Sequence, residues 1–238
     1  VYVRNKKRRA EELGINFRLI ELPVDILEAE LLTQIEKLNQ DETIDGMLVQ
    51  LPLPAQIDED KVVNAVSPAK DVDGFAPINF GHLWQADPTI IPSTAGGIMT
   101  LLAKSEIPVA GKDVLIINRS KIVGRPLAAL LLNADATVTL AHSHTKNLAE
   151  KIKNADIIVS AVGQANFITG EMVKPTAVVI DVGMNRDEQQ KLVGDVDFAS
   201  VADKVAAITP VPGGVGPMTI ITLMQQLIEI AKKRVVHG

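Results

Sequence analysis

The stretch that decides the fold is Asp113-Val-Leu-Ile-Ile117, followed by Asn118-Arg-Ser-Lys-Ile-Val-Gly-Arg-Pro126. The apolar run predicts a buried strand, and the polar turn after it leads into a helix predicted over 123–133. Backbone N–H groups and the dipole at a helix start favour an anion such as a pyrophosphate. Because only one glycine stands in this turn, the G-x-G-x-x-G fingerprint is absent. Dinucleotide binding and an ordinary strand–helix turn are therefore equal alternatives on spacing alone.

The sequence around this stretch alternates between strand and helix patterns. Short runs rich in Val and Ile predict strands over 113–117, 136–141, 156–161, 177–182 and 206–209, and helical patterns cover 123–133 and 148–154. Such alternation indicates an α/β fold with a Rossmann-like, doubly wound parallel sheet. A long amphipathic helix is predicted over 217–235.

The first ninety residues have a different pattern, which predicts a second, smaller α/β domain. Helices are predicted over 2–13, 25–38 and 58–66, and strands over 17–22 and 46–51. The composition changes near residues 91–97. We therefore predict two interleaved domains, one of residues 1–93 plus 211–238 and one of residues 94–210.

The composition excludes several classes of protein. The chain has 238 residues, 47% of them hydrophobic, with a net charge of −5. The mild acidity argues against a surface-wide nucleic-acid or membrane footprint, and no apolar run is long enough for a membrane span. There are no cysteines, which excludes disulfides and thiolate catalysis and is typical of a reducing cytoplasm.

The second predicted strand of the sheet bears on cofactor choice. NAD-binding folds usually place an acidic residue about 20 residues after the glycine turn, to hold the ribose 2′-hydroxyl. Here Thr139-Leu-Ala-His-Ser-His144 contains no acid, and a phosphorylated ribose would meet Arg119, Ser143 and His142. This favours NADP over NAD. His142 and His144 are better interpreted as loop histidines than as metal ligands, and no metal site is predicted.

Four polar residues in the first domain are weak candidates when taken singly. Tyr2 and Lys6 are four residues apart and share one helix face. Gln50 ends a predicted buried strand, where a polar side chain needs a partner. Asp71 and Asp73 stand in a turn, where aspartate is usually structural.

Together these residues belong to five motifs that stand in a family's order along nearly the whole chain. The sequence resembles the bifunctional methylenetetrahydrofolate dehydrogenase/methenyltetrahydrofolate cyclohydrolase family. The motifs are Tyr2-Val-x-x-Lys6, Val49-Gln-Leu-Pro-Leu-Pro54, Lys70-Asp-Val-Asp-Gly-Phe75, Arg119-Ser-Lys-Ile-Val-Gly124 and Pro210-Val-Pro-Gly-Gly-Val-Gly-Pro-Met-Thr219.

The resemblance implies NADP-dependent oxidation of 5,10-methylenetetrahydrofolate and hydrolysis of the methenyl product to 10-formyltetrahydrofolate, a step of one-carbon metabolism that feeds purine biosynthesis. It implies that Lys6 is the catalytic lysine, that Tyr2 stacks on the folate, that Gln50 holds Lys6 and that Asp73 grips the pterin. The chemistry is reasonable, because hydride transfer needs oriented reactants and hydrolysis needs proton handling.

The resemblance also implies the remaining site residues and a homodimer formed through the nucleotide domain. The further substrate-binding residues are Leu51, Pro52, Pro212, Gly213, Gly214, Val215, Gly216 and Pro217. The cofactor-binding residues are Asn118, Arg119, Ser120, Ile122, Val123, Gly124, Arg125, Pro126, His142 and Ser143.

Two departures from the family pattern affect these expectations. Asn118 stands where the family usually has glycine, and we expect asparagine to tolerate a left-handed backbone there. The family carries a helix and a strand ahead of Tyr2, so we expect an unpaired sheet edge.

Two alternative functions stay open. One is another two-domain NADP dehydrogenase, acting on a small hydroxy or amino acid, and the other is a non-catalytic nucleotide-binding regulator.

Overall fold

A parallel sheet organises the middle of the chain. In the computed structural model, which describes the backbone of residues 2–237 and the side chains of residues 3–234, its strand order is β2-β1-β3-β4-β7. The strands are β1 (Asp113–Ile117), β2 (Thr137–Ala141), β3 (Ile157–Ser160), β4 (Val178–Asp181) and β7 (Ala207–Ile208). Ile117 is in register with Ala141 and Ser160, and Ser160 with Asp181. The carboxyl ends of the four longer strands therefore lie level at one edge.

Helices cover the sheet as the sequence predicted. Val114 and Ile116 of β1 pack into one apolar cluster, whereas Leu115 and Ile117 pack into another. The two clusters confirm the doubly wound α/β fold. The other elements here are α5 (Ser93–Lys104), α6 (Gly124–Asn133), α7 (Leu148–Asn154), the β5 (Asn185–Arg186) and β6 (Leu192–Val193) hairpin, and α8 (Phe198–Val201). The sequence did not predict α5 or this hairpin.

The chain divides into two units, Val1–Ser93 with Ile220–Gly238 and Thr94–Thr219. The first boundary falls at the predicted residue. The second lies later than residue 211, because the loop before the final helix closes on the second unit. Gly214 N donates to Pro210 O at 2.9 Å, and Val215 packs into the cluster of β1.

The first unit is built from helices. Both strands predicted in it are wrong, since the described residues form only an isolated bridge between Met47 and Asp71. Residues 17–22 alternate in sequence but have no strand partner, and Leu19 and Leu22 are exposed. The helices are α1 (Tyr2–Glu12), α2 (Glu28–Gln40), α3 (Glu59–Ala65), α4 (Pro77–Trp84) and α9 (Val215–His237).

The final helix completes the core of the first unit, as predicted. Leu223, Met224 and Ile230 of α9 cluster with Ala10 of α1 and with Val72. Within the residues that the structure describes, no helix is long and apolar enough to cross a membrane.

Candidate functional site

Lys6 lies on the buried side of α1. Its side chain is only 7% exposed, and Nζ donates a hydrogen bond to Gln50 Oε1 at 3.3 Å. Burial lowers the pKa of Lys6 from its usual value, and the charge of Asp73 partly opposes this effect. A lysine in this setting can lose its proton more readily than one on the surface. Tyr2 lies one turn earlier on α1, but its side chain is outside the described part of the chain.

Gln50 approaches Lys6 from an exposed loop rather than from the end of a buried strand. Its Nε2 donates to the Leu51 carbonyl at 3.0 Å. This bond turns the amide so that Oε1 faces the lysine, which explains how an exposed glutamine can hold a fixed orientation. Leu51 is half-buried, Pro52 is exposed, and the peptide bond between them is cis.

Asp73 is the strongly perturbed carboxylate of this region. Burial raises its pKa to about 6, the positive charge of Lys6 opposes that shift, and Asp71 adds to it. A carboxyl group that titrates near neutral pH beside a lysine with a lowered pKa is the arrangement that proton transfer requires. The structure therefore brings Lys6, Gln50 and Asp73 together, although 44 residues separate Lys6 from Gln50.

Asp71 holds the turn that presents Asp73. Its carboxylate accepts hydrogen bonds from Gly74 N at 3.0 Å, Ala76 N at 2.7 Å and Asn79 Nδ2 at 3.1 Å. Gly74 has a φ of +72°, and an added Cβ would lie 3.1 Å from Pro92 N, so the turn needs glycine at this position. Asp71 is a structural aspartate, as its place in a turn suggested.

The turn between β1 and α6 is organised by Asn118. Its Oδ1 accepts hydrogen bonds from Ser120 N at 2.8 Å and Gly124 N at 3.0 Å. The expectation of a left-handed backbone at Asn118 is wrong, because its φ is not positive. The side chain of Asn118 organises the turn instead, through the two hydrogen bonds that its Oδ1 accepts. The turn closes so tightly that a Cβ on Gly124 would lie 2.3 Å from Asn118 O.

In this turn, a dinucleotide phosphate would be bound by charged side chains more than by free backbone N–H groups. The N–H groups of Gly124 and Arg125 are already bonded within the turn, Arg125 N to Ser120 O at 3.0 Å. Positive charge comes from the exposed side chains of Arg119 and Arg125. The other predicted contacts differ in burial: Ile122 is exposed, Ser120 and Val123 are half-buried, and Gly124 and Pro126 are buried.

At the neighbouring end of β2, residues 142–147 contain no carboxylate. His142 is half-buried and Ser143 is exposed. The His142 Nδ1 accepts a hydrogen bond from His144 N at 3.2 Å, which fixes the ring. Within the described residues, no group of three or more His, Asp and Glu side chains could hold a metal ion.

The loop before α9 belongs to the second unit. Gly213 has a φ of +109°, and its Val211–Pro212 neighbour is a cis peptide. Pro212, Gly213 and Pro217 are exposed, Gly216 is half-buried, and Gly214 and Val215 are buried. Their role in substrate binding stays a prediction.

Two carboxylates at the carboxyl edge of the sheet were not predicted from the sequence. Asp181 and Asp195 are 3% and 0% exposed and accept hydrogen bonds from several loops. The partners of Asp195 include Ser160 and Gln164, which are 35 and 31 residues away in sequence. No local spacing signals such contacts.

Family models match both halves of the chain. Residues 1–73 match the tetrahydrofolate dehydrogenase/cyclohydrolase catalytic domain, and residues 92–235 match the NAD(P)-binding domain of the same family. Among curated relatives, the bifunctional protein FolD of Lacticaseibacillus casei is 56% identical over 98% of this chain and 83% of its own length. That of Latilactobacillus sakei is 55% identical over 100% of this chain and 84% of its own length.

Solved structures agree with these matches. The bifunctional FolD of Campylobacter jejuni superposes with a TM-score of 0.96 at 47% identity, covering 98% of this chain and 83% of that one. The FolD of Trypanosoma brucei, solved with NADP and an inhibitor, has a TM-score of 0.94 at 39% identity and covers 98% and 82%.

Proposed function

Because the chain belongs to the tetrahydrofolate dehydrogenase/cyclohydrolase family, we propose that Lys6, Gln50 and Asp73 carry its folate chemistry. The chain is a methylenetetrahydrofolate dehydrogenase and methenyltetrahydrofolate cyclohydrolase. The first reaction moves a hydride from the methylene carbon of the folate to NADP⁺. In the second, water opens the methenyl cation to give 10-formyltetrahydrofolate.

The dehydrogenase step requires positioning rather than acid or base catalysis. When bound, NADP⁺ supplies the hydride acceptor. The chain's part is to hold the two reactants close and aligned. We assign the phosphates to the Asn118–Arg125 turn and the ribose phosphate to Arg119, His142 and Ser143, because these residues present positive charge and no carboxylate.

The hydrolysis step requires proton transfer, which the first unit can provide. The buried Lys6 amine has a lowered pKa, and a cationic methenyl substrate beside it would lower that pKa further. Gln50 fixes the direction of the amine through the 3.3 Å bond. Asp73, in its ionised form, is suited to accept hydrogen bonds from the N–H edge of a pterin.

The observation that carries this proposal is the meeting of Lys6, Gln50 and Asp73 within the matched catalytic domain. On the family resemblance, the proposal also assigns folate binding to Tyr2 and to residues 212–217. The preference for NADP over NAD is part of the proposal and is supported by the acid-free end of β2.

The test is NADP⁺ reduction with and without 5,10-methylenetetrahydrofolate, followed by hydrolysis of the methenyl product without nucleotide. NAD⁺ is assayed in parallel. We expect folate-dependent reduction that is faster with NADP⁺, and hydrolysis in the absence of either nucleotide. The absence of folate-dependent reduction with both nucleotides would refute the proposal.

We also propose a cytoplasmic homodimer that associates through the nucleotide domain. The absence of cysteine suits a reducing compartment. Sedimentation analysis of the full chain tests the association, for which we expect twice the mass of one chain. A monomer at micromolar concentration would contradict it.

A further inference from the structure

Hydrogen bonds join the loops at the carboxyl edge of the sheet into one continuous network. The edge network consists of Asn118, Ser160, Asp181, Asp195 and Thr209 together with the backbone groups they bind. It links the ends of β1, β3, β4 and β7, which are consecutive in the sheet. All of its members lie in the second unit.

Asp195 is the centre of this network. Its Oδ2 accepts hydrogen bonds from Ser160 Oγ at 3.1 Å and Val162 N at 2.6 Å. Its Oδ1 accepts from Gln164 N at 3.1 Å and Asn185 Nδ2 at 2.9 Å. A fully buried carboxylate with four donors is held in one geometry. It fixes the loop after β3 by two of that loop's own amides.

The network continues from Asp195 in both directions along the edge. Asp195 N and Val196 N donate to Asp181 at 2.9 Å each, and Asp181 N donates to Thr209 Oγ1 at 2.8 Å. On the other side, Asn118 Nδ2 donates to Ala161 O at 2.6 Å. The turn assigned to the phosphates is therefore tied to the same loop that Asp195 holds.

The sheet order places this loop under one half of the dinucleotide. A dinucleotide extends in both directions from a pyrophosphate at the first strand–helix turn, across the carboxyl edge. The ribose phosphate is assigned to the end of β2, which lies on one side of β1. The nicotinamide half must then extend to the other side, over the ends of β3 and β4, where residues 162–164 and Met184 are exposed.

We infer that Asp195 is a positioning residue for the nicotinamide half of the cofactor, acting through the loop 161–164. Asp195 touches neither cofactor nor substrate in this scheme, since its side chain is 0% exposed. This inference rests on the proposed function for the site it serves. Loss of the Asp195 hydrogen bonds should have a selective effect. A looser loop 161–164 disturbs nucleotide binding and hydride transfer but leaves Lys6, Gln50 and Asp73 in the other unit intact.

The test is the isosteric variant Asp195→Asn. An amide has only one acceptor oxygen, so its NH₂ group faces donors on one side and the loop loses at least one backbone contact. We expect the NADPH Kd, measured by fluorescence titration, to rise about tenfold, because small displacements of reacting groups are costly. We expect dehydrogenase kcat/KM to fall at least as much, with nucleotide-free hydrolysis within twofold of wild type.

Two further variants keep the result interpretable. Asp197→Asn is the matched control, since Asp197 is a half-buried carboxylate two residues away that caps α8 and lies outside the edge network; it should leave Kd unchanged. If Asp195→Asn does not fold, Ser160→Ala removes a single bond and should raise Kd about threefold by loss of one modest hydrogen bond.

Two results would overturn the inference. One is an unchanged NADPH Kd in a folded Asp195→Asn or, failing that, in Ser160→Ala. The other is an equal loss of both activities. A wild-type protein that binds NADPH but reduces no NADP⁺ with folate would instead contradict the proposed function, and the binding measurement would still decide the role of Asp195.

Discussion

Lys6 and Lys70 are two buried lysines in the same unit, 7% and 8% exposed. They differ in the groups that their amines contact. Lys70 Nζ donates to the carbonyls of Leu38, Asn39 and Asp41 at 2.7–3.0 Å, at the end of α2. These are carbonyls that the end of a helix leaves without intrahelical donors. Lys6 instead meets the side chains of Gln50 and Asp73.

The difference teaches that burial alone does not mark a catalytic lysine. Lys70 donates to three backbone carbonyls at the end of α2, so its side chain stabilises the fold. Lys6 lies beside a carboxyl group that titrates near pH 6, so its charge depends on its neighbours. Substitutions at the two positions should therefore separate chemistry from stability.

Lys6→Met should have the largest effect on activity. It removes the proposed proton-transfer group while keeping the apolar stem, so hydrolysis of methenyltetrahydrofolate should fall about 10²- to 10⁴-fold. The melting temperature should be unchanged or higher, because the lowered pKa of Lys6 means that its charge costs stability in the folded state. The measurement is nucleotide-free hydrolysis of the methenyl substrate. A variant with both activities intact would show that the role given to Lys6 is wrong.

Asp73→Asn should weaken folate binding and stabilise the fold. At pH 7.5 we expect the KM for folate to rise about tenfold through loss of a charge-assisted bond. In the folded state the pKa of Asp73 is about 6, against a usual pKa of 3.8. In the pH window between these two values, the folded state therefore binds more protons than the unfolded state. Wild-type stability must then fall as pH rises through this window.

Denaturant unfolding at several pH values checks the stability part of this prediction. Asp73→Asn should exceed wild type by ~1–2 kcal/mol in unfolding free energy at pH 7.5, and the gap should close as pH falls toward 4. A gap that is constant with pH would contradict the assigned titration. In wild type, the folate KM should fall as pH rises through about 6, and in the variant it should lack that dependence.

Lys70→Met should affect stability and leave the chemistry unchanged. Three half-buried carbonyls lose their donor, so the free energy of unfolding should fall by ~2–4 kcal/mol. The kcat of the folded fraction for either reaction should stay within twofold. Lys37→Met on the exposed side of α2 is the control and should cost under ~0.5 kcal/mol. A selective loss of hydrolysis in Lys70→Met would contradict the assignment of Lys70 to stability and of Lys6 to chemistry.

Gln50→Ala should have the smallest effect. It removes the 3.3 Å bond that orients Lys6 but leaves the amine in place, so hydrolysis should fall about threefold to tenfold. Gln56→Ala, which removes a different loop glutamine bonded to Val24 O, serves as control. A Gln50→Ala loss as large as that of Lys6→Met would mean that Gln50 itself takes part in the chemistry.

The sheet could be predicted because its strands are short apolar runs that local pattern reveals. The predicted helix 148–154 coincides with α7, and the strand at 113–117 coincides with β1. The strands predicted at 17–22 and 46–51 failed because neither alternation nor a short apolar run supplies a hydrogen-bonding partner. Lys6 and Gln50 could be paired only through the family resemblance, since 44 residues separate them. The roles of Lys70 and Asp195 depend on contacts with distant backbone groups, which no spacing encodes.

The titration of the Lys6 amine decides whether this lysine can exchange a proton during hydrolysis. It can be followed by NMR on isotope-labelled lysine side chains, with Lys6→Met used to assign the signal. We expect Lys6 to titrate below the exposed lysines, and Asp73→Asn to lower its pKa further because the opposing carboxylate charge is gone. A Lys6 signal that titrates with the surface lysines and does not respond to Asp73→Asn would contradict the role proposed for Lys6.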